Sequence, residues 1–379
     1  MSPSESEPSE ITHSVTVIGT LPPPHTGMTI ATKAIVDHMA EQCELRTVNI
    51  SHPKYYRGWR WRFIKALQSL RALGLLLLFP RHATSYLYTV ANSGLGLWYN
   101  VAIALIARCR RYRLFLHHHV WSYVSNHDWR MALLNRLMGA SGVHIMLCSK
   151  MVCRFRDQYK NDQSFLVLPN DFVLLSQERR APSRCRGGFR LGHISNLSIE
   201  KGLDLVLSTF ATLRDSNQEV SLILAGPLVS KRASRLLRDA QGKYPGTIDY
   251  RGATYGIRKR EFFCDIDVFL FPTRYVNEAY PLVLTEALFY GVPVVCYDRG
   301  CIPQLVGESG GIVLDSSADF VRGSYPTLAR WISDPEEFHA ARDRASSRGR
   351  ELSQHAQVRL EEVLSLLCQP ETCRARPGQ

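Results

Sequence analysis

Glu278 and Glu286 stand in the stretch of the sequence best suited to chemistry. The run Phe271-Pro272-Thr273-Arg274-Tyr275-Val276-Asn277-Glu278 leaves a predicted strand at 267–271. Pro281 then suits the first turn of a helix running to Tyr290, with Gly291 as its stop. Ligands of parallel sheets bind at the carboxyl ends of the strands, so Glu278 falls on the binding loop and Glu286 about a turn and a half into the helix. Two carboxylates so placed repel a phosphate but accept hydrogen bonds from sugar hydroxyls, while unpaired N–H groups at the helix start suit a diphosphate. A glutamate pair at this spacing is ordinarily a solvated helix face; the strand, proline and glycine around it favour the functional reading.

Three other groups compete for a chemical role. Gly19 to Met28 follows the first predicted strand and contains Gly27 just before a helix-like stretch, a place for anionic groups, although it is not G-x-G-x-x-G. His117, His118 and His119 end a predicted strand, where alternation sends His118 to the face opposite the other two. Three consecutive histidines on a strand cannot all reach one zinc ion, so no metal site is expected there. Asp265-Ile266-Asp267 has the D-x-D form of a metal motif, but it opens a strand and so lies at the sheet edge away from a ligand; a structural role is expected.

The elements that must position these groups are α/β in pattern. Strand-length apolar runs at 14–19, 44–49, 84–90, 113–118, 143–148, 165–168, 189–195, 220–225, 247–251, 267–271 and 293–297 alternate with longer amphipathic stretches. The chain has 379 residues, 45% of them hydrophobic and 10% aromatic, enough for two cored domains and too apolar for a disordered chain. Residues 1–10 and 369–379 read as tails, 11–176 as a first domain, 177–188 as a linker, 189–350 as a second domain and 351–368 as a C-terminal helix. Ten cysteines without a C-x-x-C pair, and no secretory signal before Val15, predict a reduced, cytosolic setting with the cysteines as small buried hydrophobes.

The net charge of +12 is local: the 83 residues between Glu44 and Asp128 hold 12 Lys/Arg and no carboxylate. Within them, 54–71 interleaves bases with Tyr55, Tyr56, Trp59, Trp61 and Phe63. Such a helix suits the headgroup region of an acidic membrane or a solvated face flanking an active-site cleft, with single-stranded nucleic acid the weaker third reading. The apolar stretches 94–107 and 72–79 are too short to span a bilayer and read as buried helices.

Glu278-Ala279-Tyr280-Pro281-Leu282-Val283-Leu284-Thr285-Glu286 resembles the E-x7-E motif of retaining glycosyltransferases of family 4, of the glycosyl transferases group 1 superfamily. The continuation from Ala287 to Val295, the turn at Asp298-Arg299-Gly300-Cys301, Glu200-Lys201-Gly202-Leu203-Asp204, Leu224-Ala225-Gly226-Pro227 and the loop from Pro22 to Gly27 are similar to further elements of that family. The resemblance implies a GT-B fold: two Rossmann-like doubly wound domains facing across a cleft, the last helix crossing back to the first. It implies a nucleoside diphosphate sugar held mainly by the second domain, with Glu278 on the sugar, Glu286 on the ribose and Lys201 on the diphosphate. Gly27, Ala279, Tyr280, Pro281, Leu282, and backbone N–H groups of Gly300 and Cys301 complete the donor site, and His118 or His119 faces the transferred sugar. Asn196 stands in that site where the family usually has arginine, so either Arg190 or another base compensates or the donor site is weakened.

The function so implied is retaining transfer of a sugar to an acceptor, without cofactor or metal, since Lys201 and helix N-termini can stabilise the departing diphosphate. The basic first domain suggests a lipid-linked, growing polysaccharide or other anionic glycan acceptor, with a possible anionic membrane surface at the inner face of the plasma membrane and no nucleic acid. An epimerase or phosphorylase is the rival within enzymes. A non-catalytic sugar-nucleotide-binding or nucleic-acid-binding protein is the rival outside them.

Overall fold

The computed structural model describes residues 14–51, 59–79, 85–177 and 188–368. The predicted tails, most of 177–188, and Tyr55 and Tyr56 lie outside the described residues. The chain divides into two compact units, Met1–Pro169 with Val358–Gln379, and Asn170–Gln357.

In unit 1 the order is β1 (Ser14–Gly19), α1 (Gly27–Ala40), β2 (Glu44–Asn49), α2 (Trp59–Leu78), β3 (Ser85–Ala91), α3 (Leu97–Cys109), β4 (Arg113–His118), α4 (Ser122–Ser125), α5 (Trp129–Met138), β5 (Val143–Met146), α6 (Ser149–Tyr159) and β6 (Ser164–Val167). The strands form one parallel sheet ordered β2-β1-β3-β4-β5-β6. Strand order reverses between β1 and β3. Central strands are buried on both faces, with no alternation of buried and exposed positions, which is why SVTVIG and SYLYTVA hold no charged residue.

Unit 2 continues with β7 (Phe189–Ile194), α7 (Leu203–Asp215), β8 (Val220–Ala225), α8 (Lys231–Lys243), β9 (Ile248–Tyr250), α9 (Ile257–Asp265), β10 (Val268–Phe271), α10 (Leu282–Phe289), β11 (Val294–Tyr297), α11 (Ile302–Val306), β12 (Gly311–Leu314), α12 (Phe320–Ser333) and α13 (Pro335–Cys368). Its parallel sheet is ordered β12-β11-β10-β7-β8-β9, a doubly wound arrangement whose switch point lies between β7 and β10. On one face Val206, Phe210, Leu222, Leu270, Leu328 and Trp331 share a buried cluster. The last third of α13, from Val358, belongs to unit 1. Its last residue, Cys368, lies with its Sγ 3.0 Å from the Cys43 Sγ.

Three expectations change. The division falls at Pro169 and not at 176, because Asn170 and Asp171 are tied into unit 2: the Asn170 Nδ2 donates to the Tyr280 carbonyl at 3.2 Å, and the Tyr280 and Thr285 hydroxyls donate to Asp171 at 2.5 and 2.8 Å. β12 was not expected, since four half-buried residues carry little pattern. Nor are the cysteines uniformly buried: Cys109 and Cys153 are exposed.

Candidate functional site

Four loops of unit 2 meet at the carboxyl edge of its sheet beside the switch point, and backbone bonds stitch them together. The Leu197 amide donates to the Pro227 carbonyl at 2.9 Å, Arg274 to Glu200 at 2.7 Å and Cys301 to Ala279 at 2.8 Å. Glycine is required at these crossings. Gly202 has φ +86°, and a Cβ there would stand 2.3 Å from the Pro272 carbonyl oxygen. At Gly300, φ +59°, it would stand 2.5 Å from the Glu278 carbonyl oxygen.

That packing brings Lys201, from the loop after β7, onto Glu278, from the loop after β10. Lys201 Nζ lies 2.5 Å from Glu278 Oε2, with the two side chains only 20% and 11% exposed. The Thr273 hydroxyl donates to the same oxygen at 3.3 Å, and the ammonium sits 4.5 Å from the Tyr275 ring centroid. Beside it, Glu286 of α10 meets Lys259 of α9 at 2.5 Å. Behind both, the Arg274 guanidinium donates to Asp204 at 2.6 Å and to the Ile199 carbonyl at 2.6 Å, which holds the Lys201 loop against the Glu278 loop. Each of the first two pairs joins a cation able to neutralise phosphate to a carboxylate able to accept from hydroxyls. A ligand bearing both a diphosphate and vicinal hydroxyls satisfies both partners of both pairs.

Lys259, Arg274, Asp204 and Thr273 were not singled out in the sequence, although Asp204 closes the Glu200 to Asp204 element and Thr273 and Arg274 fall inside the loop already read as functional. His193 was also missed. Its Nδ1–H donates to the Leu270 carbonyl at 2.8 Å and its Nε2 accepts from the Ser195 hydroxyl at 2.8 Å. Burial, opposed by the Leu270 bond and aided by the Lys201 charge, holds its pKa down at about 4. The ring is therefore a neutral brace under the Ser195 to Lys201 loop.

Several expected contacts are placed differently. Pro281 is the N-cap of α10, one position before the first turn, and the helix ends at Phe289, closed by the Gly291 and Val292 amides donating to Leu288 and Ala287 at 2.9 and 2.8 Å. Leu282 opens the helix and is half-buried. Tyr280 cannot offer its hydroxyl to a donor, because it is buried on Asp171, whose pKa burial lifts to about 6 despite those bonds and the Arg348 charge. The Cys301 N–H is likewise consumed by the Ala279 carbonyl, so these two backbones hold one another. Asn196 is exposed on the loop after β7. Arg190 does not replace the missing arginine: it lies near the amino end of β7, where its amide donates to Asp267 at 2.8 Å. Asp267 also faces Arg342 at 3.5 Å, and Asp265 pairs with Arg251 at 2.8 Å, at the edge away from Lys201. Among the described residues no group of three or more His, Cys, Asp or Glu is arranged to hold a metal ion.

In unit 1, Gly27 is the first residue of α1, behind a capping box in which Thr26 and Thr29 exchange bonds at 2.9 and 3.2 Å. His118 does not point out of the sheet. It is fully buried under α6, its Nδ1 3.0 Å from the Tyr123 hydroxyl and its Nε2 2.9 Å from His144 Nδ1, and burial keeps its pKa far below the usual value. Of the two histidines left open by the sequence, only His119, just past β4, is half-buried and not fully buried, and its Nε2, itself enclosed, has no hydrogen-bond partner. Burial lowers its pKa to about 3, so the ring is neutral.

Residues 188–324 match the family model described as Glycosyl transferases group 1. No curated protein matched the sequence. Among solved structures, the Anabaena Alr3699/HepE complex with UDP-glucose aligns with TM-score 0.68 at 16% identity, covering 93% of this chain and 100% of that one. Sucrose-phosphate synthase from Thermosynechococcus elongatus aligns with TM-score 0.72 at 12% identity, covering 94% and 99%. TarM aligns with TM-score 0.61 at 15% identity, covering 80% and 58%. At these identities the likeness is one of fold, and the fold is GT-B. The family match lies within unit 2, and the shared fold extends over most of the chain.

Proposed function

We propose that the chain is a retaining glycosyltransferase that moves a sugar from a nucleoside diphosphate sugar to a lipid-linked, growing polysaccharide or other anionic glycan acceptor. The observation that carries this reading is the pair of enclosed ion pairs, Lys201 with Glu278 and Lys259 with Glu286, at the switch point of unit 2. Lys201 takes the diphosphate and stabilises the charge that builds on it as the glycosidic bond breaks, while Glu278 accepts from the hydroxyls of the sugar. Glu286 accepts from the ribose, and Lys259 or Arg274 supplies the second cation that Asn196 lacks. The backbone of Pro281 and Leu282 lines the donor's path. His119, neutral, is the unit 1 residue we assign to the transferred sugar, as an acceptor or donor of a hydrogen bond and not as a charge. With no carboxylate nucleophile assigned, the acceptor oxygen attacks from the face the diphosphate leaves, and the leaving phosphate takes its proton. Relatives of the fold solved with UDP or UDP-glucose support a nucleotide-sugar donor. The test is a thermal-shift screen against nucleoside diphosphate sugars, followed by NMR of the product anomer with the donor that binds. A donor at 100 times its Kd adds about 2.7 kcal/mol, an easily seen shift. Absence of any stabilising donor, or an inverted anomer, removes the reading.

A further inference from the structure

α2 (Trp59–Leu78) presents its apolar side to solvent. At about 100° per residue, Ala72 and Leu76 mark the buried side of the helix, and Phe63, Leu67, Leu70, Leu77 and Leu78 fall within an arc of about 100° on the other. These five are 50–81% exposed. Gly74, in the same arc, has nothing within 4 Å of where a Cβ would stand. Lys65 and Arg71 are the charged residues from Phe63 to Leu78. Lys65 turns inward, its Nζ donating to the Ile50 carbonyl at 3.5 Å, whereas Arg71 stands exposed at the flank of the stripe.

The surface does not end with α2. α3 packs against α2 and α5. On α3, Trp98 and Leu105 lie two turns apart on one face, exposed, and the Trp98 ring meets exposed Trp129 of α5 edge-on at 5.1 Å. Nine of the fourteen large apolar residues exposed among the described residues lie between Phe63 and Trp129, which is concentration and not the scatter of an ordinary surface. At the far end of α3 a groove of about 720 Å³ is lined by Arg108, Arg111 and Arg113 together with Leu137 and Met138. The whole segment from 45 to 127 offers bases and no acid.

We infer that this helical face of unit 1 docks on an anionic lipid bilayer. The stripe enters the boundary between headgroups and acyl chains, the tryptophans sit at headgroup level, and Arg71, Arg108 and Arg111 meet lipid phosphates. The helix lies in the interface and does not cross it: none among the described residues is long and apolar enough to span. A second copy of the chain fits the face poorly, because a two-fold pairing sets this carboxylate-free surface against itself. The inference stands apart from the donor chemistry of unit 2, since docking is read without any transfer.

The full-length protein is sedimented with phosphatidylcholine vesicles with and without phosphatidylglycerol, at low and high salt, with UDP binding measured on the same preparations. Wild type is expected to bind the anionic vesicles at least about tenfold better at low salt, with high salt removing most of the preference. A variant with Leu67→Gln, Leu70→Gln and Leu77→Gln, its melting temperature and UDP binding unchanged, loses at least about tenfold of that binding. Arg71→Gln with Arg108→Gln and Arg111→Gln leaves only weak, salt-insensitive binding. Equal binding to both vesicle types, or a leucine variant that binds like wild type, overturns the proposal. So does a vesicle-independent dimer that the leucine variant dissolves, which makes a second copy the occupant.

Discussion

Under the proposed chemistry Lys201 and Glu286 carry different work at the switch point, one toward phosphate and the other toward hydroxyls. Lys201 leans on Glu278 and Tyr275, and in the proposed transfer its charge matters most when the leaving group gains charge. Lys201→Gln is therefore expected to cost about 2 to 4 kcal/mol in kcat/KM, mostly in kcat. Glu286→Gln, by removing an acceptor for neutral hydroxyls, raises donor Kd with a smaller change in kcat. Steady-state kinetics with the donor that stabilises the protein separates them, and the assignment fails if both variants turn over like wild type. Asp265 and Asp267 bear on metal dependence. Their oxygens are taken up by Arg251 and by the Arg190 amide, so transfer is expected to survive excess EDTA, and Asp267→Asn is expected to lower stability more than turnover. A requirement for Mn²⁺ or Mg²⁺ that disappears in that variant points the other way.

Loops and helices decide how close those side chains come, and glycine sets the limit. Gly202 and Gly246 share a left-handed φ, +86° and +74°, but a Cβ on Gly246 meets open space while one on Gly202 meets the Pro272 carbonyl. Gly246→Ala thus isolates the backbone penalty, about 1 kcal/mol. Gly202→Ala adds a backbone collision that must push the Lys201 loop off the Glu278 loop, so it is expected to lose clearly more stability in urea and to weaken donor binding, which Gly246→Ala leaves intact. Equal losses from the two substitutions contradict the close approach. These elements also show how far the sequence could be read. Strands such as VSLILA and the Pro281 to Gly291 punctuation are local signals, and the fold stands where they said. Glu278 and Glu286 were found because their motif is contiguous. Lys259 was not, because its ion pair with Glu286 joins α9 to α10 across a contact that no local pattern records, and His118 was misplaced because alternation tells which face a residue takes but not whether Tyr123 and His144 wait beneath it.

Across the molecule the buried titratable groups are unevenly shared, and acid should reveal it. Unit 1 encloses His117, His118, His119 and His144 in neutral form, with pKa values held far below the usual range for the first two, at about 3 for His119 and at about 4 for His144. An unfolded histidine titrates near 6.5, so the stability tied to each group is complete above that pH. It drains as pH falls from 6.5 toward the folded value, because the unfolded chain takes up the proton first. At pH 5 each such histidine costs up to about 2 kcal/mol, less in sum where they touch one another. Among its described residues unit 2 has one histidine of this kind, His193, and two acids with the opposite sign. Asp171, lifted by burial to about 6, and Asp267, also raised by burial, bind protons more readily folded than unfolded. For Asp171 the fold therefore gains about 1 kcal/mol between pH 7.5 and pH 5, which offsets much of the His193 loss. Hydrogen exchange followed by mass spectrometry at pH 7.5 and pH 5, corrected for the intrinsic rates, is expected to show protection falling steeply in β4 and β5 while β7 and β10 keep most of theirs. Parallel losses in the two sheets, or an earlier loss in β7 and β10, contradict this distribution of buried protons.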